Sequence, residues 1–432
     1  SNLLQNFETR ETEPHFARAM TWKEGSMKFC SAQMLIHMLF LVVVKTEIQN
    51  EKTTCEVGNA EDCETSGSSM IQTRAVRKKS ERGFHEGYES ESTENEYGVE
   101  TRITKHLGVE IRELSNAETC ENGQPKWMVF VDEPGVDQPG CNNAFLAEVA
   151  EKCSVGGQIN FEYAGDPDNG GMCWLVECGN YDAIQQELTD CQSVFAKYGI
   201  DPSHVVIESD APTSATDESV SMMEQSTGTS LWGLDRIDER ALADKDNDYD
   251  PPNTGKGVHV FVADTGIRTT HTDFGGRAIP AFEVLSSRPR MCTSSDTTCA
   301  ADRQGHGTHC AGTIGGKKYG VAKEATLYAV KVLSDAGAGS TSQFIEAVEW
   351  AEKNSLRPAV FSASLGSKVR SEIENIAIDK AVNAGVMVVV AAGNFGLTDA
   401  PDSCDYSPAF VPSAITVGST DKGDRRSEFS NY

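Results

Sequence analysis

Asp264-Thr265-Gly266 closes the apolar run Val258-His-Val-Phe-Val-Ala263, so an acid is delivered to the end of what reads as a buried strand. Forty-two positions after Asp264 stands His306, within Gly305-His306-Gly307-Thr308-His309-Cys310-Ala311-Gly312. The flanking glycines let the backbone pass close to a neighbour, and the small residues that follow suit a helix packed tightly on a sheet. A carboxylate at a strand end and an imidazole at a helix start are two parts of a nucleophilic hydrolase: a base, and the group that holds its tautomer and stabilises its cation. Each alone has a plainer reading, an acid that ends a strand or a histidine that caps a helix. His306 and His309 also have the His-x-x-His spacing, but no third ligand is apparent, so no metal site is assigned. An Asp-Thr-Gly triplet would suit two carboxylates sharing one proton, yet no second triplet occurs to supply the partner.

These two groups need a scaffold, and the surrounding pattern predicts one. Val258–Ala263, Thr326–Leu333, Ala359–Ala363 and Val386–Ala392 are apolar nearly throughout, as strands buried on both faces of a parallel sheet are. Between the later ones lie two amphipathic helices, 342–353 and 371–383, with Phe344, Ile345, Val348 and Ala351 on one stripe and Ile373, Ile376, Ala377 and Val382 on the other. Alternating strands and helices predict an α/β, doubly wound parallel sheet, with chemistry beyond the carboxyl ends of the strands. Upstream, strands at 127–131, 159–163, 173–178 and 204–208 and helices at 144–153 and 182–195 follow the order β-α-β-β-α-β, which predicts a small ferredoxin-like α+β unit.

Composition narrows the partners. The 432 residues carry 38 Lys and Arg against 65 Asp and Glu, a net charge of −27, so nucleic acid and anionic membrane surfaces are excluded as partners. The longest greasy stretch, Met34–Val44, contains His37 and is too short to span a bilayer. With Met27-Lys28 before it, the stretch has the order of a signal peptide, and Met27 is read as the true start. Thirteen cysteines without a Cys-x-x-Cys pair suit disulfides in an oxidising compartment.

Several segments together resemble the subtilisin-like serine proteases, the peptidase S8 family, in its proteinase K-like branch. They are Val262-Ala-Asp-Thr-Gly266, Gly305–Gly312, Tyr319-Gly-Val-Ala322, Val330-Lys-Val-Leu333, Ala391-Ala-Gly-Asn394 and Arg425–Tyr432, in the family's order from about Trp232 onward. The resemblance implies that Asp264 orients the histidine, His306 is general base and acid, and the Asn394 amide is an oxyanion donor. It implies that Gly337, Ala338 and Gly339 form the edge that pairs with an extended peptide, and that Ser364, Leu365 and Gly366 form the opposite wall of a pocket for apolar or aromatic side chains. Binding would then be strand addition. The ferredoxin-like unit resembles the family's inhibitor I9-type propeptide, implying a folding aid that holds 209–230 across the active site until cleavage near Trp232. No cofactor is required; structural calcium near Pro412 is allowed by the resemblance, with an acid from beyond Tyr432. Cys310 is expected as a buried free thiol. Cys292 and Cys299 lie in an insertion where a bridge would close a small loop, and bridged and free states stay equally open.

The family's nucleophile, in a Gly-Thr-Ser-Met-Ala segment, is absent; Gly228-Thr229-Ser230 precedes the aspartate and leads into Leu-Trp instead. The expected organisation is therefore a signal peptide over 27–48, an acidic low-complexity linker over 49–124, a propeptide domain over 125–212, a linker over 213–231, and a C-terminally incomplete peptidase domain over 232–432. The expectation is a secreted, extracellular, monomeric zymogen of a serine endopeptidase acting on proteins and peptides, inhibited by its own propeptide and represented without its serine. The alternative is a noncatalytic inhibitor or binding protein whose active part is the propeptide-like unit.

Overall fold

The computed structural model describes residues 83–85, 88–95, 97–120, 123–131, 148, 173–216, 231–244, 246, 248–285, 289–397 and 402–432. The signal segment 27–48, the helix expected at 144–153 apart from Glu148, the strand expected at 159–163 and the stretch 217–230 lie outside them.

The chain opens with an antiparallel meander: β1 (Gly83–His85), β2 (Tyr88–Glu94), β3 (Glu100–His106) and β4 (Val109–Leu114). In β4, Val109 and Ile111 are buried on one face while Glu110 and Arg112 are partly exposed on the other, and Leu114, at the strand's end, is buried on that second face. Leu107 and Gly108 make the β3–β4 turn with φ of 52° and 90°, the paired left-handed geometry that matches strand twist in a two-residue hairpin. This corrects the reading of 49–124 as a linker: from Gly83 onward the segment supplies strands. Its apolar residues are few, but Val109 and Ile111 stand at alternate positions and pack in the core of the neighbouring unit.

That neighbour is built from β5 (Lys126–Val131), β6 (Cys173–Cys178), α1 (Tyr181–Tyr198) and β7 (Val205–Ser209). Both β6 and β7 run antiparallel to β5 on either side of it, and β4 joins β7 in parallel, giving the order β1-β2-β3-β4-β7-β5-β6. A helix joining two like-directed strands with a third between them is the split arrangement of a ferredoxin-like unit. Helix α1 starts where the Asn180 side chain accepts from the Ala183 amide and stops at Gly199, which is left-handed. Its Ile184, Leu188, Val194 and Phe195 pack on Trp127, Val129 and Ile207. Cys120 and Cys178 form a disulfide that ties the meander's exit to β6.

Next comes β8 (Pro212–Ala215), a strand where a linker beginning at 213 is expected, then α2 (Trp232–Ile237). A second seven-stranded sheet contains β9 (His259–Asp264), β10 (Ala278–Glu283), β11 (Arg290–Met291), β12 (Thr326–Lys331), β14 (Ala359–Ala363), β16 (Val386–Ala391) and β17 (Ile415–Val417). Between these in sequence lie α3 (His306–Gly315), β13 (Ala338–Ser340), α4 (Thr341–Asn354), β15 (Leu365–Gly366) and α5 (Glu372–Asn383). The order is β11-β10-β12-β9-β14-β16-β17, parallel except for β11. Ala311 and Ile314 of α3 pack with Val260 and Val262 on one face. On the other face Phe344, Val348, Ile373 and Ala377 of α4 and α5 pack with Phe261 and Phe361. Cover on both faces explains why these strands read as continuous apolar runs, and the architecture is the expected doubly wound α/β sheet.

The upstream sheet rests on α4 and α5. Met128 and Phe130 of β5 enter the same core as Phe344 and Ile373. The helix starts are also met by carboxylates. Glu208 accepts from the Ile373 amide at 3.2 Å, the Glu372 amide at 3.3 Å and the Ser371 hydroxyl at 3.0 Å. Asp210 accepts from the Ser342 amide at 2.9 Å and hydroxyl at 2.7 Å, and pairs with Lys126 at 3.0 Å. Each carboxylate satisfies amides that a helix start leaves without partners, and each lies at the positive end of the helix dipole.

Candidate active site

Asp264 ends β9, the central strand of the doubly wound sheet, and is fully buried. His306 is the first residue of α3, preceded by Gly305 at φ 115°, a left-handed conformation that turns the chain into the helix. Its Nδ1 lies 2.8 Å from both Asp264 carboxylate oxygens. Gly307 makes this approach possible, since a Cβ there would fall 2.2 Å from the Gly266 carbonyl oxygen and 3.0 Å from the Asp264 Cβ. Around the pair, the Gly307 amide donates to Thr265 Oγ1 at 2.9 Å, and Thr265 donates to Asp302 at 2.9 Å. Asp302 in turn accepts from the amides of Gln304, Gly305 and Thr308 and so organises the loop that carries the histidine.

Burial presses the His306 pKa down, but the hydrogen bonds to Asp264 and the contact with Cys310 outweigh it, so the ring is held above its ordinary value. The Cys310 thiol lies 3.9 Å from His306 Nδ1 and is free. Burial first, and then the neighbouring Asp264, push its pKa up, so it is held as the thiol. For Asp302, burial acts upward, yet hydrogen bonds from Thr308, Gly305 and Thr265 win and lower it. Nδ1–H on the aspartate leaves Nε2 as the lone-pair nitrogen of neutral His306, which is what a general base needs.

Beside this pair runs a slot between two short strands, and the slot is filled. β8 lies between β13 and β15, antiparallel to both, with Ala338 opposite Ser214, Gly339 opposite Thr213 and Leu365 opposite Ala215. The Ala215 amide donates to the Gly337 carbonyl at 2.9 Å, and the Thr216 amide to the Ser364 carbonyl at 3.0 Å. Thus Gly337, Ala338 and Gly339 stand on one side of an added strand, and Ser364, Leu365 and Gly366 on the other. A Cβ at Gly339 would fall 2.6 Å from the Val332 carbonyl oxygen, so that wall takes no larger residue without moving. Leu365 is buried and packs in the main core, so it offers its backbone to the slot rather than lining an open pocket.

Residues 255–432 match the family model described as the subtilase family. Residues 255–432 are a subtilase domain. The "Extracellular serine proteinase" of Thermus sp. (strain Rt41A) is 47% identical over 201 residues, covering 46% of this chain and 45% of the relative. The "Alkaline serine exoprotease A" of Vibrio alginolyticus is 44% identical over 202 residues, covering 47% of this chain and 35% of the relative. The chain thus spans about half, or less, of the length of these curated relatives. A solved structure titled a cold adapted subtilisin-like serine proteinase is 42% identical and covers 48% of this chain and 70% of that one, with a TM-score of 0.43.

In the subtilase domain Asn394 follows β16, and β16 pairs with β14, which pairs with β9, so Asn394 sits beyond the same sheet edge as Asp264. It is half-buried. Cys292 and Cys299 are bridged in the loop between Asp264 and His306. Asp264, His306 and Cys310 each bring one donor atom within 4.8 Å of the others, a set that can hold a thiophilic cation. Around Pro412, no three acidic, histidine or cysteine donors converge among the described residues. Sequence reading passed over Asp302, whose signal was an acid just ahead of a glycine-flanked turn, and over Thr265, which stands inside the quoted motif.

Proposed function

We propose that this chain carries the acid–base half of a serine endopeptidase made as a secreted, self-inhibited precursor. The observation that carries the reading is the Asp264–His306 pair, at 2.8 Å, beside a slot occupied by the chain's own strand β8. The serine would come from sequence following Tyr432. His306 Nε2 would take the proton of that serine's hydroxyl as its oxygen attacks a peptide carbonyl, with Asp264 stabilising the imidazolium formed. The Asn394 amide would donate to the oxyanion of the tetrahedral intermediate. His306 would return the proton to the leaving amine, and a water activated the same way would release the acyl group. The substrates are proteins and peptides bound as an added strand, no cofactor takes part in the chemistry, and calcium would be structural.

Residues 125–216 then act as propeptide. β8 holds the slot as a substrate would, and the caps from Glu208 and Asp210 anchor the unit on α4 and α5. The bond offered for the first cut is Thr216–Asp217 rather than one beside Trp232. Ser364, which accepts from the Thr216 amide, directly follows Ala363, and Ala363 pairs with Ala263, the residue before Asp264. The end of the added strand is therefore level with the catalytic pair.

The test is the completed coding sequence. A Gly-Thr-Ser-Met-Ala segment beyond Tyr432 is expected, and a stop codon at that point would remove the enzyme reading. The completed protein should react with a fluorophosphonate probe, and His306→Ala should abolish the labelling; undiminished labelling would count against His306 as the base.

A further inference from the structure

The meander β1–β4 is not part of the split βαβ unit, yet it reaches the subtilase domain on its own. Its β2–β3 turn is organised by Asn95, whose Oδ1 accepts from the Tyr97 and Val99 amides at 3.0 Å each, with Gly98 left-handed. The other atom of that amide, Nδ2, donates to the Lys368 carbonyl at 2.8 Å. Tyr97 then lies between three partners on the subtilase domain. Its hydroxyl is 3.0 Å from that of Tyr406, its ring centroid is 5.4 Å from that of Phe395, and the Lys368 ammonium sits 4.3 Å above its ring. Phe395 and Tyr406 are themselves stacked at 4.6 Å, so the receiving surface is an aromatic ledge with a cation at its lip. Beneath, Val99 and Leu114 of the meander and Ala211 pack on Val369.

The ledge adjoins both sides of the candidate site. Phe395 directly follows Asn394, and Lys368 stands two residues beyond Gly366. Neither the β8 slot nor the helix caps involve these residues.

We infer that Lys368, Val369, Phe395 and Tyr406 form an exosite whose ligand is the chain's own Asn95–Val99 turn, making the meander a further anchor of the propeptide, independent of both the tail in the slot and the helix caps. The inference rests on the propeptide reading above. Cutting the chain after the tail does not by itself release the upstream unit, because the ledge adds its hold to that of the helix caps. Once the unit leaves, the same ledge is a site for a tight Asn-x-Tyr-Gly turn.

The experiment uses the full chain with a specific-protease site placed within 217–230, nicked there, so that the halves stay together by contacts alone. Dissociation of the halves is followed by size-exclusion after dilution, a readout that needs no proteolytic activity, so failure of the enzyme reading leaves it intact. An aromatic pair, a cation–π contact and a hydrogen bond are each worth a few-fold, so Tyr97→Ala should speed dissociation about tenfold or more. Tyr97→Phe, which loses only the hydroxyl contact, should fall between. Lys368→Ala changes the other partner, leaves the meander untouched, and should lose most of its effect when combined with Tyr97→Ala. Should Tyr97→Ala impair folding, Lys368→Ala alone decides the case. Acceleration of threefold or more supports the exosite, and anything less for the decisive variant overturns it.

Discussion

Glu374 offers the sharpest quantitative test of how the upstream unit meets the subtilase domain. It lies in the first turn of α5, buried, with one carboxylate oxygen accepting from the Thr341 hydroxyl at 2.9 Å and the other without a hydrogen-bond partner. Facing it are Glu208 and Asp210 of the upstream unit. Burial, and after it these two acids, push its pKa from 4.5 up to about 8 against the Thr341 hydrogen bond. The folded chain therefore keeps a proton that the unfolded chain releases above pH 4.5. Stability from this group is full below that pH, falls as pH rises to about 8, and levels off once both states are ionised. At about 1.4 kcal/mol per pH unit, the loss between pH 5 and pH 7 is about 3 kcal/mol. Glu374→Gln keeps the shape and an acceptor for Thr341 but cannot ionise. For a unit of this size the wild-type Tm should therefore drop relative to that of the Gln variant by roughly 6–12 °C over that interval. Scanning calorimetry of both chains at half-unit pH steps measures it. A Tm gap that stays constant from pH 5 to pH 8 would refute the claim that a buried proton is held at this junction.

Three further outcomes follow from the same contacts. In the completed protein, Asn394→Ala should lower kcat about 10²–10³-fold, the magnitude known for loss of an oxyanion donor in a subtilisin, with KM little changed in steady-state assays. N-terminal sequencing of the matured form should read Asp217 first; a first residue beside Trp232 would mean that β8 marks no scissile bond. Asp210→Ala removes the acceptor for Ser342 and the ion-pair partner of Lys126, so the nicked chain should separate into halves under milder denaturant, by about 1–2 kcal/mol in a urea series.

What the sequence revealed and what it hid divide along a physical line. Asp264 and His306 were legible because each stands at a boundary between patterns, an apolar run ending in an acid and a glycine-flanked turn opening a small-residue helix. The sheet was legible because burial on both faces leaves no polar positions in strands such as Val386–Ala391. The meander was not, because its apolar content is low and it joins the rest of the sheet only through β4's pairing with β7, a strand nearly a hundred residues away. Val109 and Ile111 were visible as an alternation, but composition averaged over 49–124 diluted them. Leu107 in a left-handed turn hid the hairpin further, since the asparagine or glycine that usually announces that geometry is missing from its first position. β8 was hidden for a related reason: Pro-Thr-Ser-Ala has no covered face of its own and becomes a strand only because β13 and β15 each lack a partner on the side it enters. A segment whose structure is conferred by the site it occupies reads as linker in one dimension, and the same property lets it act as a removable ligand in three.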